Sequence, residues 1–456
     1  MQIGAFICRC KGELDTLIDI EFLVEKLKNA RSVSWIEVLF QACSSFGLEK
    51  IGQTIRDHAL TGLVVAACSP QLYYLDFGWL AEASGINRRL VEIANIREQC
   101  AWVHPQKEKA TRKALDLFLM ACARVYTAGA TGYLSHKPLH TAIVNRLKCD
   151  RCKRCVEECP NEAYHLDKDG FPTPDPQKCQ RCGICLGGCP LQAIALPDFR
   201  LEEVAAMITA INTAGVPEEE PLLLGFFCKN DAYPEADRLG RERIPYPANL
   251  RIIRVPCSGA VNMSLVNDAL SHGIDGILIA ACRENQCRFK RGNMLVASRI
   301  QNLQETLTRM MIEPERVQYL PLAEVTPHVV SIDWGLCNSC FTCREVCPFG
   351  AISLKENKKI AHNGLWEVPN LFASDMNELV PVIEPDLCRG CGICAVACRP
   401  AAISIEGYTD RDILAQIDGY LPQVKAPPLL GEGILPQFLR RYVEELKTMG
   451  PNPFRL

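Results

Sequence analysis

Cys149-Asp150-Arg151-Cys152-Lys153-Arg154-Cys155-Val156-Glu157-Glu158-Cys159-Pro160 and Cys179-Gln180-Arg181-Cys182-Gly183-Ile184-Cys185-Leu186-Gly187-Gly188-Cys189-Pro190 are the paired runs around which this 456-residue chain is built. Three thiolates on one tight loop can take three corners of an iron–sulfur cubane, and the fourth must then come from a distance. In the doubled C-x2-C-x2-C-x3-C-P pattern it comes from the other run. The spacing therefore predicts one [4Fe–4S] cluster on Cys149, Cys152, Cys155 and Cys189 and another on Cys179, Cys182, Cys185 and Cys159. A single C-x-x-C would serve zinc or a redox dithiol equally well; eight cysteines at this doubled spacing point away from both.

The chain holds 26 cysteines in an otherwise ordinary globular composition. A disulfide-dense secreted protein would need a signal peptide. Met1-Gln2-Ile3-Gly4-Ala5-Phe6-Ile7-Cys8 has neither a basic start nor an apolar run leading to a small-residue cleavage site, so a cytoplasmic location is expected. The longest apolar stretches, 63–68 and 222–228, are strand-sized, and no direct membrane insertion is expected. Net charge is −3 with the signs interspersed, which excludes an electrostatic footprint for nucleic acid.

Residues 1–128 alternate short apolar runs with amphipathic stretches, the pattern of an α/β domain with a mainly parallel sheet. Strands are predicted at 3–8, 35–39, 63–67 and 90–94, and helices at 20–27, 48–58 and 107–126. Cys8, Cys10, Cys43, Cys68 and Cys100 fall just after those strands, where ligands collect in such sheets. Five thiols there read as a further metal centre. The plain alternative is that buried free cysteines are common in cores, but Cys8 and Cys10 are too close for both to be buried apolar residues. Cys122, within a helical run, reads as core. Lys148, Arg151, Lys153, Arg154, Lys178 and Arg181 crowd the paired runs; they read either as cations that raise a cluster's potential or as a solvated face that docks an acidic partner.

After a breaker-rich linker at 215–221, a second α/β domain is predicted over 221–325, with strands at 222–227, 251–255, 276–281 and 317–320 and helices at 262–271 and 293–311. Cys228, Cys257, Cys282 and Cys287 again lie at strand ends. Four thiolates suit a [2Fe–2S] cluster and a structural zinc ion alike, and spacing does not separate them. A second two-cluster module follows at 329–420: Cys337, Cys340, Cys343 and Cys398 form one set, and Cys388, Cys391, Cys394 and Cys347 the other. The proline that would follow Cys398 is displaced to Pro400. An insert at 353–385, with Trp366 and Phe372, reads as a packed excursion or a docking loop. The fold class is thus α/β: two α/β domains with mainly parallel sheets, plus two 2[4Fe–4S] ferredoxin-like modules, the first spanning 141–198.

Two resemblances sharpen this outline. Cys8-Arg9-Cys10, Cys43-Ser44, Cys68-Ser69-Pro70 and Asn95-Ile96-Arg97-Glu98-Gln99-Cys100-Ala101-Trp102-Val103-His104 resemble the amino-terminal domain of the A subunit of heterodisulfide reductase. That resemblance implies an iron–sulfur cluster, expected as a further [4Fe–4S], on four of the five cysteines, without saying which four. The family's flavin domain is missing, and no G-x-G-x-x-G joins a strand to a helix, so FAD is not expected. Gly225-Phe226-Phe227-Cys228, Val255-Pro256-Cys257-Ser258-Gly259, Cys282-x4-Cys287 and Glu313-Pro314-Glu315-Arg316-Val317 resemble the delta subunit of methyl-viologen-reducing hydrogenase. This implies a [2Fe–2S] cluster that passes electrons to heterodisulfide reductase. The family's additional cysteines near the first position are replaced here by Phe227 and Asp231. Residues 388–404 and 408–417 resemble the carboxyl end of the heterodisulfide reductase A subunit. A helix at 438–449 and Gly450-Pro451-Asn452-Pro453 resemble the tail of the hydrogenase delta subunit, so 430–456 is expected to complete the delta-like domain.

No zinc-protease, P-loop or serine-hydrolase motif is present, and no catalytic residue is expected. His104, near Cys100, reads as a packing residue or a hydrogen-bond donor to a cluster sulfur. The expected function is an electron-transfer subunit in a hetero-oligomeric redox complex of an anaerobe, joining a hydrogenase- or formate-dehydrogenase-like donor to a flavin-containing or catalytic subunit of a heterodisulfide-reductase-like assembly. Chain order puts the 141–198 module in the middle of the relay. The alternatives are an oxidoreductase acting on a disulfide or similar substrate itself, and a zinc scaffold with ferredoxin modules attached.

Overall fold

The computed structural model describes residues 1–30, 32–131, 141–213, 220–283, 287–322, 330–333, 336–337, 339–347, 352–356, 379–383, 393–400, 402–405 and 434–454. They fall into two compact units, residues 1–323 with 432–456, and residues 324–431.

The first unit opens with a four-stranded parallel sheet of β1 (Ile3–Cys8), β2 (Val33–Leu39), β3 (Gly62–Ala67) and β4 (Val91–Asn95), in the order β2-β1-β3-β4. Every residue of β1 and β3 is buried, which is why they read as continuous apolar runs rather than alternating ones. Helices α1 (Ile20–Lys28), α2 (Ser45–Asp57), α3 (Pro70–Ala83) and α4 (Lys107–Ala130) connect and cover them. Two of the N-caps follow a cysteine directly. Ser44, after Cys43, accepts from Gly47 N at 3.0 Å, and Ser69, after Cys68, accepts from Gln71 N at 3.2 Å. Each of these thiols therefore stands directly before a helix amino terminus.

Next comes the smaller module. β5 (Ile143–Val144) pairs antiparallel with β8 (Ile194–Ala195), and β6 (Tyr164–Leu166) with β7 (Pro172–Pro174). The short helices α5 (Arg154–Glu157) and α6 (Ile184–Gly188) lie within the two cysteine runs, and α7 (Leu201–Thr209) leads out of the module onto α4.

The second α/β sheet repeats the first. β9 (Leu223–Cys228), β10 (Leu250–Val255), β11 (Gly276–Cys282) and β12 (Val317–Leu322) are parallel in the order β10-β9-β11-β12. Its helices are α8 (Ala232–Arg241), α9 (Met263–Ser271) and α10 (Gly292–Arg309). The last helix of the chain, Ile434–Met449, also packs here: buried Tyr442 donates to the carbonyl of Arg316 at 2.6 Å. Beyond it, Asn452 donates to the carbonyls of Leu270 and Ile274 at 2.8 and 2.6 Å. Asp275 joins the start of β9 to the tail, accepting from Leu222 N at 2.7 Å and Asn452 N at 2.8 Å.

The second α/β domain touches both of its neighbours. Toward the first sheet, Arg251 Nε meets Asp116 Oδ2 at 2.6 Å with both side chains 2% exposed. Asp237 on α8 accepts from Ser69 Oγ and, at 2.9 Å, from Asn95 Nδ2. Gly240 permits the close approach of α8, since a β-carbon there would lie 2.3 Å from the carbonyl oxygen of Glu98. Toward the smaller module, Arg299 pairs with Glu158 and donates to the carbonyl of Ile184 at 3.4 Å. Asn262 donates to the carbonyls of Leu186 and Cys189 at 3.1 and 2.9 Å.

In the second unit, Val330–Ile332 pairs antiparallel with Ile403–Ile405, and Ile352–Glu356 with Leu379–Ile383, the same nested pairing as in the first module. Short helices run over Thr342–Glu345 and Ile393–Ala397. Cys388, Cys391, Trp366, Phe372, the linkers at 132–140 and 214–219, and the stretches 408–417 and 426–428 lie outside the described residues.

Candidate metal centres

At the carboxyl end of the first sheet, the chain leaves β1 through Cys8, Arg9, Cys10 and Lys11. Cys10 and Lys11 have φ of 46° and 60°, a left-handed turn that folds the second thiol back toward the first. The two sulfurs stand 3.7 Å apart. Cys8 Sγ accepts backbone N–H groups from Cys10 and Ala42, each at 3.3 Å, and Gln41 Nε2 reaches Cys43 Sγ at 3.6 Å. The Cys10 hydrogen bond, helped by those two amides, brings the Cys8 thiol down to about 6 against its burial. Burial pushes Cys68 up to about 12, with Arg97 opposing it and Cys43 and Cys8 among its charged neighbours. Arg97 is held in place by Glu98 at 2.7 Å and lies over the ring of Trp102.

The structure thus brings Cys8, Cys10, Cys43 and Cys68 to one crevice and leaves Cys100 apart. Cys100 is fully buried in the π-helical turn Arg97–Ala101; its thiol faces the carbonyl of Asn95 at 3.9 Å, and its charged neighbours are Lys113, Arg251, Asp116 and Glu98. His104 belongs to this second environment. Its Nε2 lies 3.2 Å from Lys113 Nζ, which also meets Tyr246 Oη at 3.3 Å. Burial pulls Lys113 down to about 7 and holds His104 well below its ordinary value.

In the smaller module the crossed sets separate cleanly. One hollow, about 340 Å³ of space partly open to solvent, is lined by Cys149, Cys152, Cys155 and Cys189. Another, of about 320 Å³, is lined by Cys159, Cys179, Cys182 and Cys185. The backbone suits an anionic guest. Arg151 and Lys153 flank Cys152 with φ of 63°, and Arg181 and Gly183 flank Cys182 with φ of 51° and 82°. Alternating left- and right-handed residues turn successive N–H groups inward, the nest that holds iron–sulfur and phosphate anions. Cys159 and Cys189 each accept from the amide four residues on, Ala163 N and Ala193 N, at 3.3 Å. Cys152 is exposed, whereas Cys182 and Cys185 are buried. Lys148, Arg151, Lys153, Arg154, Lys178 and Arg181 are all exposed around the loops.

In the second α/β domain Cys228, Cys257, Cys282 and Cys287 are all buried. Cys228 and Cys282 stand 3.5 Å apart, and Cys287 bonds to both Cys257 and Cys282. These shared hydrogen bonds push Cys228 and Cys287 down and Cys257 and Cys282 up. Asp231, the residue before α8, is a charged neighbour of Cys228 and Cys282. Gly292 opens α10 directly against the site, since a β-carbon there would lie 2.5 Å from Cys257 Sγ and 3.1 Å from Ile184 Cδ1. Ile184, between Gly183 and Cys185, thus packs in one buried cluster with Cys182 of the module and Cys257.

In the second unit, a hollow of about 320 Å³ is lined by Cys337, Cys340, Cys343 and Cys398. Ser339 and Phe341 repeat the flanking left-handed pair at φ of 54° and 59°. Cys347 and Cys394 are described; their two expected partners are not. Among the described residues no three His, Cys, Asp or Glu side chains group so as to hold a single metal ion.

Comparison with known proteins agrees with this chemistry. The 4Fe-4S dicluster domain matches residues 148–194 and 336–403. The family described as methyl-viologen-reducing hydrogenase, delta subunit, matches residues 223–330. The chain is 32% identical over 257 residues to the A subunit of a ferredoxin:CoB-CoM heterodisulfide reductase from Methanosarcina mazei, covering 52% of this chain and 32% of that protein. It is 37% identical over 124 residues to the A subunit of an H2:CoB-CoM heterodisulfide,ferredoxin reductase from Methanothermobacter thermautotrophicus, covering 27% of this chain and 19% of that one. It is 38% identical over 101 residues to the D iron-sulfur subunit of an F420-non-reducing hydrogenase from Archaeoglobus profundus, covering 22% of this chain and 74% of the relative. The chain spans about a third or less of the length of the heterodisulfide reductase relatives. Cysteine pattern and comparisons together define an iron–sulfur protein of the ferredoxin-module class. More particularly, the chain belongs to the hydrogenase delta-subunit family, fused to parts homologous to the A subunit of heterodisulfide reductase.

Proposed function

We propose that the chain is the electron-relay subunit of a heterodisulfide-reductase-like complex. The ligand sets are Cys8, Cys10, Cys43 and Cys68; Cys149, Cys152, Cys155 and Cys189; Cys159, Cys179, Cys182 and Cys185; Cys337, Cys340, Cys343 and Cys398; and Cys347 with Cys388, Cys391 and Cys394, each for a [4Fe–4S] cluster. Cys228, Cys257, Cys282 and Cys287 take a [2Fe–2S] cluster. Such clusters supply one-electron carriers. The working domains are 1–128, 141–198, 221–325 with 430–456, and 329–420.

The observation that carries this reading is the packing of Ile184 and Gly292 against Cys257, which sets the buried thiols of the module beside those of the second α/β domain. On the other side, Ser69, next to Cys68, bonds to Asp237 on the helix that follows Cys228. We read the second α/β domain as the hub between the other two, as an alternative to the chain-order series with the module in the middle. The outer port is Cys152, ringed by exposed lysines and arginines suited to an acidic redox partner. Phe40, Phe46, Leu72, Leu75 and Trp79 are exposed on the elements that carry Cys43 and Cys68, and provide an apolar face for a neighbour in the complex.

Anaerobic purification with metal and cofactor analysis tests the reading. The expected result is about 22 iron atoms per chain with matching acid-labile sulfide. Stoichiometric flavin would replace the relay by an oxidoreductase, and zinc in place of iron at Cys228, Cys257, Cys282 and Cys287 would break the chain of carriers.

A further inference from the structure

The four cysteine runs end alike, and the residue five positions after the last cysteine of each is Tyr164, Ile194, Ile352 or Ile403 in chain order. Where the hollows are described, this residue lines the one that takes its fourth thiol from the same run. Ile194 lines that of Cys149, Cys152, Cys155 and Cys189, and Ile403 that of Cys337, Cys340, Cys343 and Cys398. Tyr164 lines the hollow of Cys159, Cys179, Cys182 and Cys185. Among the three described hollows, then, one carries a hydrogen-bond donor at this position and the other two an aliphatic wall.

The donor has no other use. The Tyr164 hydroxyl is buried and lacks a hydrogen-bond partner of full geometry within the protein. The groups that face it are thiols, Cys185 first and then Cys155 and Cys179. An unsatisfied buried hydroxyl destabilises the fold, a cost that isoleucine avoids at the equivalent positions.

We propose that Tyr164 sets the reduction potential of the Cys159, Cys179, Cys182 and Cys185 site: its hydroxyl donates to the Cys185 sulfur as a cluster thiolate, making this site the more easily reduced of its pair. The proposal rests on the relay reading. Reduction adds negative charge that is shared with the sulfur ligands, and a donor at one sulfur stabilises the more negative state, as hydrogen bonds to cluster sulfurs do generally. The site so favoured is the one beside Ile184 and Cys257. An electron therefore rests at the inner site, against the hub, in preference to the outer site at Cys152.

The test is a redox titration of the full-length protein followed by electron paramagnetic resonance, comparing wild type, Tyr164→Phe and Ile194→Tyr. Tyr164→Phe should move one four-iron couple to lower potential with the other couples and the iron content unchanged; Ile194→Tyr should move the neighbouring couple up. Unmoved couples at full iron content in Tyr164→Phe would overturn the proposal. Should Tyr164→Phe lose iron, Ile194→Tyr decides: an upward shift supports the proposal and an unmoved couple overturns it. Failure of the relay reading itself shows separately, as iron missing from the unsubstituted protein before any couple is titrated.

Discussion

Cys100 shows how far a thiol's place along the chain differs from its place in space. It follows a strand, as Cys8, Cys43 and Cys68 do, and nothing in the spacing sets it apart. Strand order does. The clustered thiols come from β2, β1 and β3, three neighbours in the sheet, with Cys10 added from the loop after β1, whereas Cys100 follows the edge strand β4. The second domain obeys the same rule, with thiols on β10, β9 and β11, a fourth from the loop after β11, and none on β12. We therefore expect Cys68→Ala to lose one four-iron site and Cys100→Ala to keep all of the iron, by metal analysis and the spectrum of the reduced protein. Equal loss from the two variants would mean that the ligand set is drawn wrongly. In the modules, by contrast, the three crossed sets whose cysteines are all described each line one hollow, as the sequence spacing leads one to expect, because C-x2-C-x2-C fixes the loop and only the crossing of the fourth ligand has to be known.

Elements were legible where burial follows a simple period. The eight long strands were found to within about two residues, because parallel strands covered on both faces stay apolar throughout. Helices α3 and α8 were missed for opposite reasons. In α3, Leu72, Leu75 and Trp79 are exposed while Phe77 and Ala81 are buried, so apolar residues surround the helix and no stripe stands out. In α8 the pattern is inverted: Glu235 and Asp237 are buried, and Pro234 sits in the first turn. The buried acid gives α8 a pH signature. Burial raises the Asp237 carboxyl to about 7, so between roughly pH 4 and 7 the folded chain holds a proton that the unfolded chain has released. This group's contribution to stability therefore falls as pH rises through that window and levels off above it. Asp237→Asn keeps an acceptor for Ser69 and removes the titration. Its thermal midpoint should match wild type near pH 4 and pull progressively above it toward pH 7; a constant gap across that range would show that Asp237 titrates normally.

At the scale of the whole molecule, the two α/β domains share one strand order and place thiols at the ends of the same three strands, the fourth coming from the loop after β1 in one and after β11 in the other, with the first module packed against the second of them. Chain order suggested a relay running from the first domain through the module to the second. The packing of Gly292 and Ile184 by Cys257, and of α8 on the first domain, supports a different series, with the second domain between the other two. The two orders predict opposite outcomes. If the second domain is the hub, Cys257→Ser, which disables its site, should isolate the first domain's thiol site from the module even though both keep their iron. Cys182→Ser, which disables the inner module site, should leave the first and second domains in rapid exchange while the outer site at Cys152 is cut off. Pulsed reduction followed by freeze-quench spectroscopy reads both, since the signals of two-iron and four-iron centres differ. Rapid equilibration of the first domain with the module in Cys257→Ser would restore the module to the centre.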